Sequence, residues 1–310
     1  MISEIRHSTI SVSNLAATRQ FYENVFDYVV HAEEVVSGSA FQQLWSLPDK
    51  MAGEVVVMGP RDADSGLLRL VQFDSPGKLY WGDYSSMNDY GHYALNVRVP
   101  KIHAAIADIC ENGGRSKSEP THWTVTPTLS AWDSISYDPD NIMLDVFELE
   151  TAPGSVLSDY DGRPSSLQTV AIHSSDACRS ACFYAALGYR PLYNKLLENM
   201  ESFFHFPSGT AMHNINMMMP AKPGIGRLEI AQYVGWPGRS QQDQAVPPAL
   251  GILGISLETD DLDSTEILLR SIGTRPAGKR VETGIPGLGN ITARSYYGPD
   301  EERLEFFQRF

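Results

Sequence analysis

Histidines in two alternating segments are the side chains in this sequence best suited to chemistry. His7 begins the run His-Ser-Thr-Ile-Ser-Val-Ser, and His92 lies in the run Gly-His-Tyr-Ala-Leu-Asn-Val. Imidazole nitrogens bind divalent metals and exchange protons near neutral pH. A lone histidine on a strand is more often a packing or surface residue, but two at matched positions favour a metal site.

The elements that must position these histidines belong to an internal repeat. Asn14 is followed seven residues later by Phe21-Tyr22, and Asp176 is followed seven residues later by Phe183-Tyr184. Asn and Asp satisfy free N–H groups at the start of a helix, and the aromatic pair lies where that helix would face a sheet. The pattern predicts four units of strand, helix and three strands, near residues 4–74, 90–150, 166–234 and 250–310.

Composition and charge restrict the class of protein. A chain of 310 residues, 42% hydrophobic and 20% charged, is long enough for two globular domains. The net charge of −14 disfavours nucleic acid as a partner. Three scattered cysteines form no disulfide framework, and we find no apolar stretch typical of a membrane span or a secretory signal. We expect a cytoplasmic protein that binds a small-molecule substrate, neither nucleic acid nor membrane, and that is compatible with a homo-oligomer.

The repeated units resemble the vicinal-oxygen-chelate superfamily. The resemblance rests on His7 near the first strand, on the cap followed by Phe-Tyr, and on the Asp-Pro-Asp turn before the closing strand. This group includes glyoxalase I, bleomycin-resistance proteins and the extradiol ring-cleaving dioxygenases. It implies an α+β fold of four βαβββ units that pair into two domains, with cupped mixed sheets and the helices outside. With consecutive units paired, the domains are expected at 1–150 and 166–310, joined by a linker at 151–165.

The resemblance also implies a metal site. In this superfamily the first and last strands of the units hold a divalent metal on the concave side of the sheet. Carried over by position, the ligands in the first domain are His7, His92 and Asp145, with Arg69 at the corner where a Glu is often found. The second domain is expected to have a degenerate ligand set, with Thr169, Glu229, Gly254 and Glu305 at these positions.

Two imidazoles and one carboxylate form the facial triad suited to Fe(II), whereas Mn²⁺ or Zn²⁺ in the same ligands would act as a Lewis acid. We therefore expect a divalent metal as the cofactor, Fe(II) first, with Mn and Zn as alternatives. His122 and Arg69 are the expected catalytic residues, His122 as an acid–base group and Arg69 as a partner of Asp145 or of an anionic substrate. The alternative for both is a location at the surface.

Aromatic side chains are concentrated in the first half of the chain, which contains four of the five tryptophans. Trp81, Tyr84 and Trp123 are the predicted substrate-binding residues, because an aromatic or polycyclic substrate would pack against such rings. The alternative is that these rings fill the core and the interface between domains.

Three functions remain open from the sequence. The leading hypothesis is a metal-dependent enzyme that acts on a small oxygenated, aromatic molecule and is most like an extradiol ring-cleaving dioxygenase. The second is a metal-dependent isomerase or lyase of the glyoxalase type, which needs no O₂. The third is a non-catalytic aromatic-ligand-binding protein, similar to the resistance proteins, whose binding a His7→Ala change would leave intact. Pairing of the first unit with the fourth is also open, and it would bring His7 near Glu305.

Overall fold

The computed structural model describes residues 1–79, 87–151, 155–158, 160–241 and 243–310, without the side chain of Ser202. The predicted units are present. The first comprises β1 (Ile2–Ser11), α1 (Leu15–Phe26), β2 (Val29–Val36), α2 (Ser39–Trp45), β3 (Gly53–Gly59) and β4 (Leu67–Phe73). The second comprises β5 (Gly91–Arg98), α3 (Ile102–Glu111), β6 (Arg115–Ser116), β7 (Thr121–Thr126), β8 (Leu129–Tyr137) and β9 (Met143–Thr151).

The second half of the chain repeats this order, and its first unit again carries a short extra helix. The third unit comprises β10 (Leu167–His173), α4 (Ala177–Ala186), β11 (Arg190–Leu197), α5 (Glu201–Phe204), β12 (Ala211–Met218) and β13 (Arg227–Val234). The fourth comprises β14 (Gly251–Thr259), α6 (Leu262–Ser271), β15 (Val281–Ile285), β16 (Gly289–Tyr297) and β17 (Arg303–Arg309). The predicted fold class, four βαβββ units in two cupped mixed sheets, is confirmed.

Two mixed sheets are formed, and each takes one unit from each half of the chain. The first sheet has the strand order β15-β16-β17-β14-β1-β4-β3-β2, so it joins the first and fourth units. The second has the order β11-β12-β13-β10-β5-β9-β8-β6, with β7 on β8, so it joins the second and third units. The first strands of the paired units meet antiparallel, as in the pairs His7–Ser256 and Thr169–Asn96. We call the concave faces of these sheets the first cup and the second cup.

This pairing corrects the expectation that residues 1–150 and 166–310 would each close their own sheet. The physical reason is that the first strand of every unit presents an unpaired edge of N–H and C=O groups, which any other first strand can satisfy. Gly66 shows how tightly the units meet. Its N–H donates to the carbonyl of Ile5 at 2.9 Å, and its own carbonyl accepts from the N–H of Leu167 at 2.8 Å.

Consecutive units contact each other instead through helices and turns. Asn14 caps α1 by accepting from the N–H of Ala17 at 3.1 Å, which confirms the predicted cap. The hydroxyl of Tyr22, fully buried on that helix, donates to the carboxyl of Asp138 at 3.1 Å in the turn of the second unit. The other half has a similar bond from a different turn position, where Tyr184 donates to Glu302 at 2.7 Å.

The helices α1, α3, α4 and α6 pack on the outer faces of the sheets, and the aromatic pair of α1 lies in the main core cluster. The short helices α2 and α5 lie on the inner side instead, where Trp45 and Phe203 reach the cups. Among the described residues, the structure has no helix that is long and apolar enough to cross a membrane. Functional side chains can converge on the inner, concave faces of the sheets.

Candidate functional site

The first cup contains a buried guanidinium at its centre. Arg69 on β4 donates to Glu305 on β17 at 2.9 Å and to Thr9 on β1 at 2.9 Å from Nε and 2.6 Å from Nη2. It also donates to Ser256 on β14 at 3.1 Å. Trp45 donates its indole N–H to the other oxygen of Glu305 at 3.0 Å, and its ring centroid lies 5.1 Å from the Arg69 guanidinium carbon. The polar atoms that meet at this centre are thereby bonded to one another.

Arg69 therefore pairs with Glu305, not with Asp145 or the surface. Both side chains are almost fully buried, and the guanidinium lowers the pKa of the Glu305 carboxyl although burial opposes this. Arg303, a second buried cation, borders the same cavity as this ion pair. The predicted pairing of Arg69 with Asp145 is therefore wrong, because the two side chains lie in different cups. A contact of Arg69 with an anionic substrate stays a prediction.

His7 lies in the first cup as well. Its neighbour across the sheet is Ser256, which bonds Glu305, so the pairing of the first and fourth units places His7 and Glu305 on one sheet. Burial and the nearby Arg69 lower the pKa of the imidazole well below its ordinary value. Both ring nitrogens lack a hydrogen-bond partner in the described part of the chain.

His92 belongs to the second sheet, and it faces away from the second cup. Its Nε2 lies 3.2 Å from the backbone oxygen of Arg303 in the first sheet, and burial lowers its pKa to about 4. The neutral imidazole thus forms a hydrogen bond between the two sheets. Asp145 lies in the second cup. The predicted triad of His7, His92 and Asp145 is therefore not assembled, and the described residues include no group of three or more His, Cys, Asp or Glu placed to hold a metal.

His122 lies at the surface of β7, as the alternative interpretation had it. Its Nε2 is 3.1 Å from Glu150, and its ring stands 5.2 Å from that of Trp132. It does not line a cup, so its predicted acid–base role is corrected. The predicted substrate-binding residues Trp81 and Tyr84 lie outside the described residues.

The second cup has a floor of acidic and amide side chains. The amide of Asn96 on β5 donates to Asp145 on β9 at 2.9 Å and to Glu229 on β13 at 2.6 Å. The amide of Asn214 on β12 donates to the second oxygen of Glu229, also at 2.6 Å. Asp133 on β8 lies close to Asp145, and the Oδ1 atom of each carboxyl has no hydrogen-bond partner in the described part of the chain. Residues far apart in sequence meet here because every strand of this sheet contributes one or two inward side chains.

The acidic side chains of the floor hold protons more tightly than in water. Burial raises the pKa of Asp133 to about 7. Burial and the neighbouring carboxyl of Asp133 raise the pKa of Asp145 well above its ordinary value. The pKa of Glu229 is raised by burial too, although the amides of Asn214 and Asn96 oppose this. The floor thus carries a group that changes its protonation state near neutral pH.

Three amide oxygens of the floor have no partner. The Oδ1 atoms of Asn96, Asn214 and Asn216 make no hydrogen bond in the described part of the chain, although each residue is only 3% exposed. The NH₂ groups of Asn96 and Asn214 are held by carboxylates, and this fixes which way each amide points. The floor therefore presents buried acceptors that hydrogen-bond donors of a ligand can satisfy.

Above the floor is a cavity of about 300 Å³ with largely apolar walls. Trp123 on β7 borders it and packs edge-on against Phe203 of α5, with 5.1 Å between the ring centroids. The indole N–H of Trp123 has no partner in the described structure. The other apolar lining residues include Leu129, Ala131, Phe147, Leu197, Phe204 and Met212.

The two cups differ in charge at corresponding positions. The last strands of the paired units contribute Arg69 and Glu305 to the first cup, but Glu229 and Asp145 to the second. A guanidinium and a carboxylate bond each other in the first cup, whereas two acids face each other across Asn96 in the second. Of the two cups, the second is the candidate functional site, because its cavity of about 300 Å³ exceeds the one of about 200 Å³ beside Arg69 and its floor keeps three open amide oxygens.

Sequence reasoning named Asp145, Glu229 and Trp123 but missed Asp133 and the asparagines. A signal for them exists. Asn214 and Asn216 alternate with apolar residues in Met-His-Asn-Ile-Asn-Met, which places two polar side chains on one face of a strand.

The comparisons with known proteins agree with this architecture. The family profile described as Glyoxalase/Bleomycin resistance protein/Dioxygenase superfamily matches residues 4–146. Residues 4–146 belong to that superfamily. The resemblance inferred from the sequence is thereby confirmed. Among curated proteins, no relative matches the sequence.

The superfamily fold extends over the whole chain. Glyoxalase I from Zea mays superposes with a TM-score of 0.65 at 16% identity, covering 99% of this chain and 92% of the maize protein. A Bacillus subtilis protein provisionally named a dioxygenase superposes with a TM-score of 0.59 at 13% identity, covering 98% and 84% of the two chains. At such identities the likeness concerns the fold alone.

The metal that the superfamily implies does not fit the residues of either cup. In the first cup, the guanidinium of Arg69 already bonds the carboxylate that a metal would need, and its charge would repel a cation. In the second cup, the described floor offers carboxyl and amide groups without an imidazole, and Asp145 and Glu229 already accept hydrogen bonds from Asn96. The chemistry of this chain must therefore be argued from its own side chains.

Proposed function

We propose that this protein binds a small aromatic molecule in the second cup. The ring of the ligand lies against the apolar wall, and the ligand's hydrogen-bond donors face the acceptors of the floor. The observation that carries the proposal is the set of open amide oxygens of Asn96, Asn214 and Asn216 beneath a cavity of about 300 Å³. A buried acceptor without a partner costs about 1–3 kcal/mol, so a ligand that supplies donors is favoured. The edge-on pair Trp123 and Phe203 suits a flat, apolar group.

This proposal corresponds to the third of the functions considered from the sequence, a ligand-binding protein that does not depend on His7. The dioxygenase and glyoxalase hypotheses both relied on His7, His92 and Asp145 as metal ligands. Because these residues are on different sheets or face different ways, neither reaction is proposed through them.

A matched pair of tryptophans tests the binding site. Trp123 lines the cavity, whereas Trp132 on the adjacent strand is 37% exposed and packs on His122 outside it. Isothermal titration with tryptophol, a neutral indole alcohol, should give an affinity that Trp123→Ala lowers about tenfold and Trp132→Ala leaves within about twofold. His7→Ala should also leave it unchanged. Equal effects of the two tryptophan substitutions would contradict the proposed site.

A second candidate function, proton transfer on the bound ligand, is favoured by the Asp133–Asp145 pair. One carboxyl is protonated while its partner has a pKa of about 7, so the pair can accept a proton at one oxygen and donate one at another. A carbonyl compound would lose an α-proton to the Asp133 carboxylate while Asp145 donates to the carbonyl oxygen.

Deuterium exchange distinguishes this activity from binding alone. Phenylacetone in D₂O should exchange its α-hydrogens faster with the protein present, and the exchange followed by NMR should vanish in Asp133→Asn. Exchange that persists in Asp133→Asn, or that is no faster than in buffer, would leave ligand binding without catalysis as the function.

A further inference from the structure

We propose that the second cup selects a cationic ligand, an aromatic amine whose ammonium group lies among Asp133, Asp145 and Glu229. The inference deepens the proposed function and depends on it. It rests first on the contrast between the cups, since the position that holds a guanidinium in the first cup holds the carboxylate of Glu229 in the second.

The charge of the floor is not balanced by the protein. Arg227 is the one basic side chain among the described residues that line the cavity, and it bonds Gln168, with 3.0 Å from its Nη2 to the side-chain oxygen. Against this single cation stand Glu229 and the pair of Asp133 and Asp145. A ligand with one positive charge would offset the excess of negative charge.

The open amide oxygens point to the same class of ligand independently of the carboxyl groups. The Oδ1 atoms of Asn96 and Asn214 are buried acceptors whose own NH₂ groups are already bonded to Glu229. An ammonium group has three donors and no acceptor, so it can bond amide and carboxyl oxygens together. A hydroxyl brings one donor, and a carboxylate brings none and would be repelled.

The apolar walls of the cavity indicate the chemistry of the rest of the ligand. Trp123, Phe203 and Phe204 enclose the side of the cavity away from the charged floor. An aromatic ring on a short chain would therefore place its ammonium group on the floor and its ring between these side chains.

Three indoles that share one ring test the selection by charge. Isothermal titration compares tryptamine, tryptophol and indole-3-acetate, which carry an ammonium, a hydroxyl and a carboxylate group on the side chain. We expect tryptamine to bind about tenfold or more tightly than tryptophol, because charged hydrogen bonds are roughly twice as strong as neutral ones. Indole-3-acetate should bind most weakly.

Isosteric variants locate the effect on the floor. Asp133→Asn and Glu229→Gln should each lower the affinity for tryptamine about tenfold and that for tryptophol less than about twofold. Two variants are used because the Gln amide could disturb the bonds to Asn96 and Asn214, whereas Asn at 133 can still donate to Asp145. The control Glu198→Gln removes the charge of an exposed side chain that borders the cavity and should leave both affinities within about twofold.

The outcomes separate this inference from the proposed function. Tryptophol that binds as tightly as tryptamine, with the loss in Trp123→Ala retained, overturns the selection of cations and leaves the site in place. Tightest binding of indole-3-acetate, no binding of any of the three indoles, or an equal loss of tryptamine affinity in Glu198→Gln and Glu229→Gln, overturns the inference as well. Equal effects of Trp123→Ala and Trp132→Ala overturn the proposed site itself.

Discussion

Replacing Asp133 with asparagine should stabilise the protein at alkaline pH and not at acidic pH. In the folded protein Asp133 lies close to Asp145, and burial raises its pKa from the ordinary 3.8 to about 7. A carboxyl whose pKa is raised by folding stabilises the fold below its unfolded pKa, and this stabilisation is lost as the pH rises through the folded value. The wild-type protein should therefore lose stability between about pH 4 and pH 7. Asn at this position cannot ionise and can still donate to the Asp145 carboxylate.

The size of the effect follows from the pKa. Moving a carboxyl pKa from 3.8 to about 7 corresponds to about 4 kcal/mol at pH values above both. Because Asp133 borders a cavity that water can enter, we expect about half of this, about 2 kcal/mol, in favour of Asp133→Asn at pH 8. At pH 4 and below, the two proteins should differ by less than about 0.5 kcal/mol.

Urea unfolding at several pH values between 4 and 8.5, without ligand, measures the difference. Glu119→Gln, which changes an exposed acid in the same unit, serves as the control and should show no such trend. The reasoning is refuted if Asp133→Asn is less stable than the wild type at pH 8, or if the difference between the two proteins does not change with pH.

Three further changes test the contacts that hold the sheets and units together, each by urea unfolding at pH 7. Arg69→Met should lower the free energy of unfolding by about 3–5 kcal/mol, because it leaves the buried carboxylate of Glu305 unpaired. Adding Glu305→Gln should recover part of this loss. Full additivity of the two changes would speak against a coupled pair. Tyr22→Phe removes a buried donor to the turn of the next unit and should cost about 1–2 kcal/mol, so a neutral change would contradict this link. Gly66→Ala should lower the free energy of unfolding more than Gly162→Ala does. Both glycines have positive φ (64° and 79°), but only at Gly66 would the new Cβ lie 2.5 Å from a backbone oxygen. Equal losses of stability would show that strain in φ is the whole effect.

The repeat and its local structure could be predicted from sequence because their causes are local. Asn14 and Asp176 cap their helices as expected, since a cap requires only a side-chain oxygen three residues before a free N–H. The aromatic pair after each cap was expected to face a sheet for the same reason of spacing, and Tyr22 and Tyr184 are both fully buried. The four units and the superfamily followed from these patterns.

The pairing of the units could not be predicted in this way. Each first strand has the same alternation and the same unpaired edge, so the sequence permits several partners. The choice is made by contacts between distant residues, such as the antiparallel pairing of His7 on β1 with Ser256 on β14. This choice moved His7 to the first cup and away from Asp145.

The candidate site was accessible to sequence analysis only in part. Position within the repeat identified Glu229 and Asp145 as inward-facing acids, but their partners come from other strands: Asn96, Asp133 and Asn214. A pKa, a bonded amide and an open acceptor all depend on burial and on neighbours that the fold brings together. The sequence by itself therefore determined the units and the residues that face inward. Only the tertiary structure decided that one cup has a guanidinium–carboxylate pair at its centre while the other keeps acidic groups beneath an aromatic cavity.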